Sequence, residues 1–100
     1  MASSPVEGLP DVVLAQFAVL RQRFVAGLPQ RWQEIAGAAD AAALESALHR
    51  LAGSAGSYGC ARLGECVRAA QLLTAGPDGA ALEQALGRLR EEMLRLQAAP

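Results

Sequence analysis

One hundred residues, 52% of them apolar, are enough to close one hydrophobic core without disulfide or metal staples. A net charge of −1 provides no field to hold a polyanion, so binding to nucleic acid through a basic face is not expected. Aromatic residues make up 4% and β-branched residues are scarce beside Ala and Leu, a balance that favours helix over sheet.

Residues 1–9 read as a flexible, polar lead-in. Pro10 and Asp11 then open a helix, with a proline early and an acid in the first turn. Val13, Phe17, Leu20, Phe24 and Leu28 follow at spacings of three and four and form one apolar stripe, predicted to face the core. Pro29 cannot donate to the helical ladder, so a kink or a fresh start is expected there. Trp32, Ile35, Ala36 and Ala39 continue a short apolar face.

Asp40 is placed to cap the next helix. Leu44, Leu48, Leu51, Ala55 and Tyr58 form its core seam, and Gly59 is placed to end it. A further helix is predicted over about Ala61 to Ala75, with Leu63, Cys66, Val67, Ala70 and Leu73 on one face. Gly76-Pro77-Asp78-Gly79 is a turn in which Asp78 can cap the last helix. That helix carries Leu82, Ala85, Leu86, Leu89, Met93 and Leu96 inward, with Arg and Glu on its outer face. The predicted fold is all-α: residues 10–98 form an antiparallel up-down four-helix bundle with a short or kinked extra N-terminal helical segment.

Cys60 and Cys66 do not supply the roughly four ligands a zinc site needs, so they read as buried thiols of a reducing compartment and no metal is expected. No run approaches the roughly 18 apolar residues of a membrane span, and the start Met1-Ala2-Ser3-Ser4-Pro5 lacks the basic and apolar regions of a secretory signal. A cytoplasmic monomer without a membrane association is expected.

His49 is the single histidine. On a helical wheel it lies one step from the inward Leu48. Its axial neighbours are Glu45 one turn before, Ala52 and Gly53 one turn after, and Gly56 two turns after. Each glycine inside a helix costs up to about 1 kcal/mol relative to alanine. Two of them on one face are consistent with access for a visiting chain, although close helix packing would favour them equally. Ser54 and Ser57 lie on other faces, Cys60 is eleven positions away, and no loop offers an oxyanion hole, so a hydrolase triad is not assembled. An exposed imidazole can still act as a nucleophile in its own right, since a large neutral fraction persists near pH 7.

The run His49-Arg50-Leu51-Ala52-Gly53-Ser54-Ala55-Gly56-Ser57-Tyr58-Gly59 resembles the signature of histidine-containing phosphotransfer domains. The usual pattern in that family is His-x-Leu-Lys-Gly-Ser-Ser, three residues and a Gly. His49, Leu51, Gly53, Ser54 and Gly59 match in register, whereas Ala52 stands where the family has Lys and Ala55 where it has the second Ser. The resemblance implies a phosphoryl carrier without a catalytic site of its own. His49 would accept the group from a receiver-domain aspartate and pass it to another receiver, with a hybrid sensor histidine kinase upstream. It implies no cofactor on this chain, the Mg²⁺ being expected on the receiver. Glu45, Arg50, Ala52, Gly53 and Gly56 are the expected binding surroundings; Arg50 would reach the phosphoryl group only along its own length. The alternative is a helical adaptor that docks on receivers without carrying phosphate, which the missing lysine would suit. The dimerising helix pair of a sensor kinase fits less well, because an acid and a proline would be expected where Arg50 and Ser54 stand.

Overall fold

Local signals set the helix boundaries. The structure, a computed structural model, describes residues 10–99, and the expected lead-in at residues 1–9 lies outside them. Five helices follow in order: α1 (Asp11–Ala26), α2 (Leu28–Ala36), α3 (Ala41–Ser57), α4 (Ala61–Gln71) and α5 (Gly79–Ala98). There is no strand among the described residues.

The fresh start predicted at Pro29 is present. Gly27 closes α1, donating its N–H to the carbonyls of Arg23 and Phe24 at 3.1 Å each, and Pro29 sits in the first turn of α2. There its missing N–H costs nothing that a helix start would have used. Asp40 and Asp78 cap α3 and α5: their Oδ1 atoms accept the N–H of Ala43 at 2.8 Å and of Ala81 at 2.9 Å. α4 stops at Gln71, short of the Ala75 expected. The chain there tightens into i→i+3 bonds, Leu73 to Ala70 and Thr74 to Gln71, and the Thr74 hydroxyl also donates to the Gln71 carbonyl at 2.9 Å.

α2, α3, α4 and α5 run up and down, each antiparallel to the one before, around a core in which Leu28, Leu48, Leu51, Leu63, Val67, Leu89 and Met93 are fully buried. Each such side chain contributes about 1.5–3 kcal/mol by leaving water. Ile35 completes the α2 face and Trp32 is half-buried; Ala36, the last residue of α2, and Ala39, beyond its end, were expected to join that face and are exposed.

Two further expectations fail. The α1 stripe reaches the core only at Phe24, and Val13, Phe17 and Leu20 are exposed at 39%, 36% and 46%. The molecule is 48 Å long, against roughly 30 Å for the twenty residues of α5, because the first half of α1 projects beyond the bundle. On α5, Glu92 lies buried rather than on the outer face. Burial is tolerated because both carboxylate oxygens accept hydrogen bonds from Arg95, Nε to Oε1 at 2.7 Å and Nη2 to Oε2 at 2.5 Å. Those hydrogen bonds hold the Glu92 carboxyl below its ordinary pKa, against the opposing effect of burial.

Candidate functional site

α3 is the helix that presents the site, and its orientation is fixed along its whole length. Leu44, Ala47, Leu48, Leu51 and Ala55 are buried on one side. With that stripe in the core, a pitch of 3.6 residues turns His49, Gly53 and Gly56 outward, and all three are exposed. The far end is locked as well. Gly59 takes φ +69°, the Cys60 N–H reaches back to the Ala55 carbonyl at 2.9 Å, and the Gly59 N–H bonds that of Gly56 at 3.3 Å. This is a Schellman closure, and it requires the left-handed conformation that glycine adopts most easily.

The structure decides between the two readings of the helix glycines. A Cβ added at Gly53 or at Gly56 would meet nothing within 4 Å, so neither glycine serves packing inside the molecule. Gly87 on α5 is equally open, so openness alone marks no site. What distinguishes 53 and 56 is that they share a face with the one histidine.

His49 lines a shallow hollow with Ala42, Glu45, Ser46 and Arg50. A neighbouring hollow is lined by Arg31, Arg50, Gly53, Ser54, Ser57 and Tyr58. Arg50 borders both. Its Nη2 lies 3.5 Å from Oε2 of Glu34 on α2, an ion pair in which both side chains are largely in water. Such a pair is worth at most about 1 kcal/mol and exchanges readily. Arg31 is held over the Phe24 ring at 5.5 Å, and that ring stacks on Tyr58 at 5.0 Å, tying the ends of α1, α2 and α3 together beside the second hollow.

Of the expected surroundings, Glu45, Arg50, Gly53 and Gly56 stand on the exposed side of α3 with His49. No hydrogen bond joins Glu45 to the imidazole, so the ring is not oriented from that side. Ala52 is half-buried against the core instead of lying on the open face, because its position on the wheel falls nearer the Leu48–Ala55 stripe. The sequence reading missed Arg31 and Glu34. Their i, i+3 spacing on α2 was visible, but nothing local says that α2 sets them beside residues 50–57. Cys60 is buried and Cys66 half-buried; burial, with Glu92 and Glu65 nearby, pushes the Cys66 thiol up and keeps it protonated. Among the described residues no three His, Cys, Asp or Glu side chains converge as a metal site would require, and no helix is long and apolar enough to cross a membrane.

An exposed imidazole on a helix interior, flanked by positions without side chains, is geometry that a second protein can approach. Comparison with protein families gives the same direction: the model of the Hpt domain matches residues 19–99. The chain belongs to the Hpt family. Hpt domains carry phosphoryl groups on histidine within two-component phosphorelays, and the helical bundle described above is consistent with their fold. No curated protein and no solved structure matches the chain. The Hpt match takes in α2 to α5 and the second half of α1; residues 10–18 precede it.

Proposed function

We propose that this Hpt domain is a phosphorelay intermediate and that His49 is its phosphoryl acceptor. The observation that carries the reading is the exposed His49 on a face where Gly53 and Gly56 leave open space. An imidazole nitrogen attacks phosphorus of a receiver's aspartyl phosphate, the acyl P–O bond breaks, and the receiver carboxylate leaves. The other ring nitrogen sheds its proton to water. The reverse attack by a second receiver's carboxylate discharges the histidine. Both steps need in-line approach, which bulky neighbours would obstruct. The receiver brings Mg²⁺ and most of the charge stabilisation. Upstream, a hybrid sensor kinase fits as the donor system, in a cytoplasmic setting.

Arg50 takes the place of the lysine that Ala52 lacks. It is the cation that borders the His49 hollow, and its weak hold on Glu34 leaves it free to turn to a phosphorylated ring. Glu45 remains a neighbour of the ring without a hydrogen bond to it.

The test is incubation with a phosphorylated receiver. The native chain gains an acid-labile, base-stable phosphate, and His49→Gln gains none while melting at the same temperature. Persistent labelling of the variant would move the acceptor elsewhere. Ala52, standing where the family has a lysine, favours one competing reading, a docking adaptor that carries no phosphate. In that case the native chain binds the charged receiver and stays unlabelled.

A further inference from the structure

The charge around His49 is uneven. Toward the start of α3 the carboxylate of Glu45 lines the His49 hollow. Toward the end of α3 the second hollow is bordered by two guanidinium groups, Arg31 and Arg50, and by Ser54 and Ser57, with no acid in its lining. The chain as a whole carries a net charge of −1, so this hollow departs from its surroundings in sign.

The two arginines differ in what holds them. Arg50 pairs with Glu34 and also borders the His49 hollow. Arg31 is half-buried, and among the described residues no carboxylate lies within ion-pair reach of it. Its guanidinium rests over the Phe24 ring at 5.5 Å, and that ring stacks on Tyr58 at the end of α3. The aromatic contact fixes where the charge sits without neutralising it. A guanidinium placed in advance gives up little freedom when it meets a carboxylate, and its planar fork of N–H donors matches the two carboxylate oxygens. Gly53 lines the same hollow and has open space where a Cβ would stand, so the backbone of a partner can come close enough for a short acidic side chain to enter.

We propose that Arg31 is a specificity-determining residue that receives an aspartate or glutamate side chain of the receiver domain docking over His49. This rests on the reading of the His49 face as the one receivers approach. His49 does not line the Arg31 hollow, so Arg31 takes no part in phosphoryl transfer. It selects which receivers dock, and in which orientation. A receiver whose acid meets Arg31 is held in register, and the reversed orientation sets that acid against Glu45.

The test uses the uncharged receiver domain of the source organism that binds the native chain most tightly, measured by calorimetric titration. Arg31→Gln weakens binding about tenfold, the scale of one charge-assisted hydrogen bond. Native binding weakens as salt rises from about 50 mM to about 300 mM, and binding by Arg31→Gln does so distinctly less. Arg31→Lys keeps the salt dependence, which a role confined to bracing Phe24 would not produce. Arg31→Glu loses binding, and one Asp or Glu to Arg change on the docking face of the receiver restores it. The proposal is overturned if Arg31→Gln binds as the native chain does, or with the same salt dependence. It is overturned as well if no single acid-to-arginine change rescues Arg31→Glu, or if no receiver binds the native chain. A native chain that shows the Arg31 effect but takes no phosphate from a charged receiver supports docking through Arg31 and removes the acceptor role from His49.

Discussion

Two helices of this Hpt domain show large faces to water, for opposite reasons. On α3 the exposed residues are His49, Gly53 and Gly56, and the same helix buries Leu44, Leu48, Leu51 and Ala55 behind them. On the first half of α1 the exposed residues are Val13, Phe17 and Leu20, and no comparable buried stripe lies behind them. Both helices repeat apolar residues at three and four. Periodicity therefore tells which side of a helix seeks a partner, and only packing tells whether the molecule supplies one. α3 is open where a ligand can react because it is anchored everywhere else.

That contrast breaks most sharply under truncation. Leu51→Ala removes a side chain that is 1% exposed between α3 and its neighbours. It should lower stability by about 2–5 kcal/mol through the cavity left behind. Phe17→Ala, a larger deletion, should change the stability of the dilute chain by no more than about 0.5 kcal/mol, as a surface change does. Urea titrations of both variants at low concentration check this. A comparable loss in Phe17→Ala would mean that the arm belongs to the core.

The α3 face can be tested by filling it. Gly53→Leu should leave the fold intact or stabilise it by up to about 1 kcal/mol, since leucine suits a helix better than glycine and its Cβ meets nothing. Transfer from a phosphorylated receiver should fall by an order of magnitude or more. A variant that is more stable yet equally reactive would show that the glycines are not there for access.

A smaller effect is expected from the cation beside the histidine. Arg50→Gln should shorten the lifetime of the phosphorylated histidine, and Glu34→Gln, which frees Arg50, should lengthen it. Each change should be no more than about fivefold, the range of an exposed ion pair. Equal shifts in the same direction would remove Arg50 from the role given to it.

Much of α3 was legible in the sequence because its determinants are local. The Asp40 cap, the leucine spacing and Gly59 all lie within one twenty-residue stretch, and together they fix which way His49 points. The break at Gly27–Pro29 was legible for the same reason. Arg31 and Glu34 were not, because their relevance depends on α2 crossing α3 at residues 50–57. The α1 arm was misread because a stripe of Val13, Phe17 and Leu20 looks the same with or without a neighbouring helix. Glu92 was misread because a charged residue on a terminal helix is ordinarily solvated. Only the pairing with Arg95 one turn on makes its burial tolerable.

Glu92 gives the mildest test of how the two ends of the molecule differ. Its folded pKa is held below the ordinary carboxylate value, first by the hydrogen bonds from Arg95. A depressed carboxylate contributes stability that is present above its unfolded pKa, near 4.5, and is lost as pH falls through the folded value. The native domain should therefore begin to lose this contribution only below pH 4.5. In Arg95→Ala the hydrogen bonds are gone, and burial, which raises the pKa, is opposed only by the smaller effect of the Arg62 charge. The acid midpoint of unfolding should then move upward, with some stability already lost at neutral pH. Asp11→Asn, on the projecting arm, should leave that midpoint where it was, because no part of the bundle depends on that residue. Circular dichroism followed from pH 7 to pH 2 distinguishes the two variants. An unmoved midpoint in Arg95→Ala would mean that water, and not Arg95, satisfies the Glu92 carboxylate.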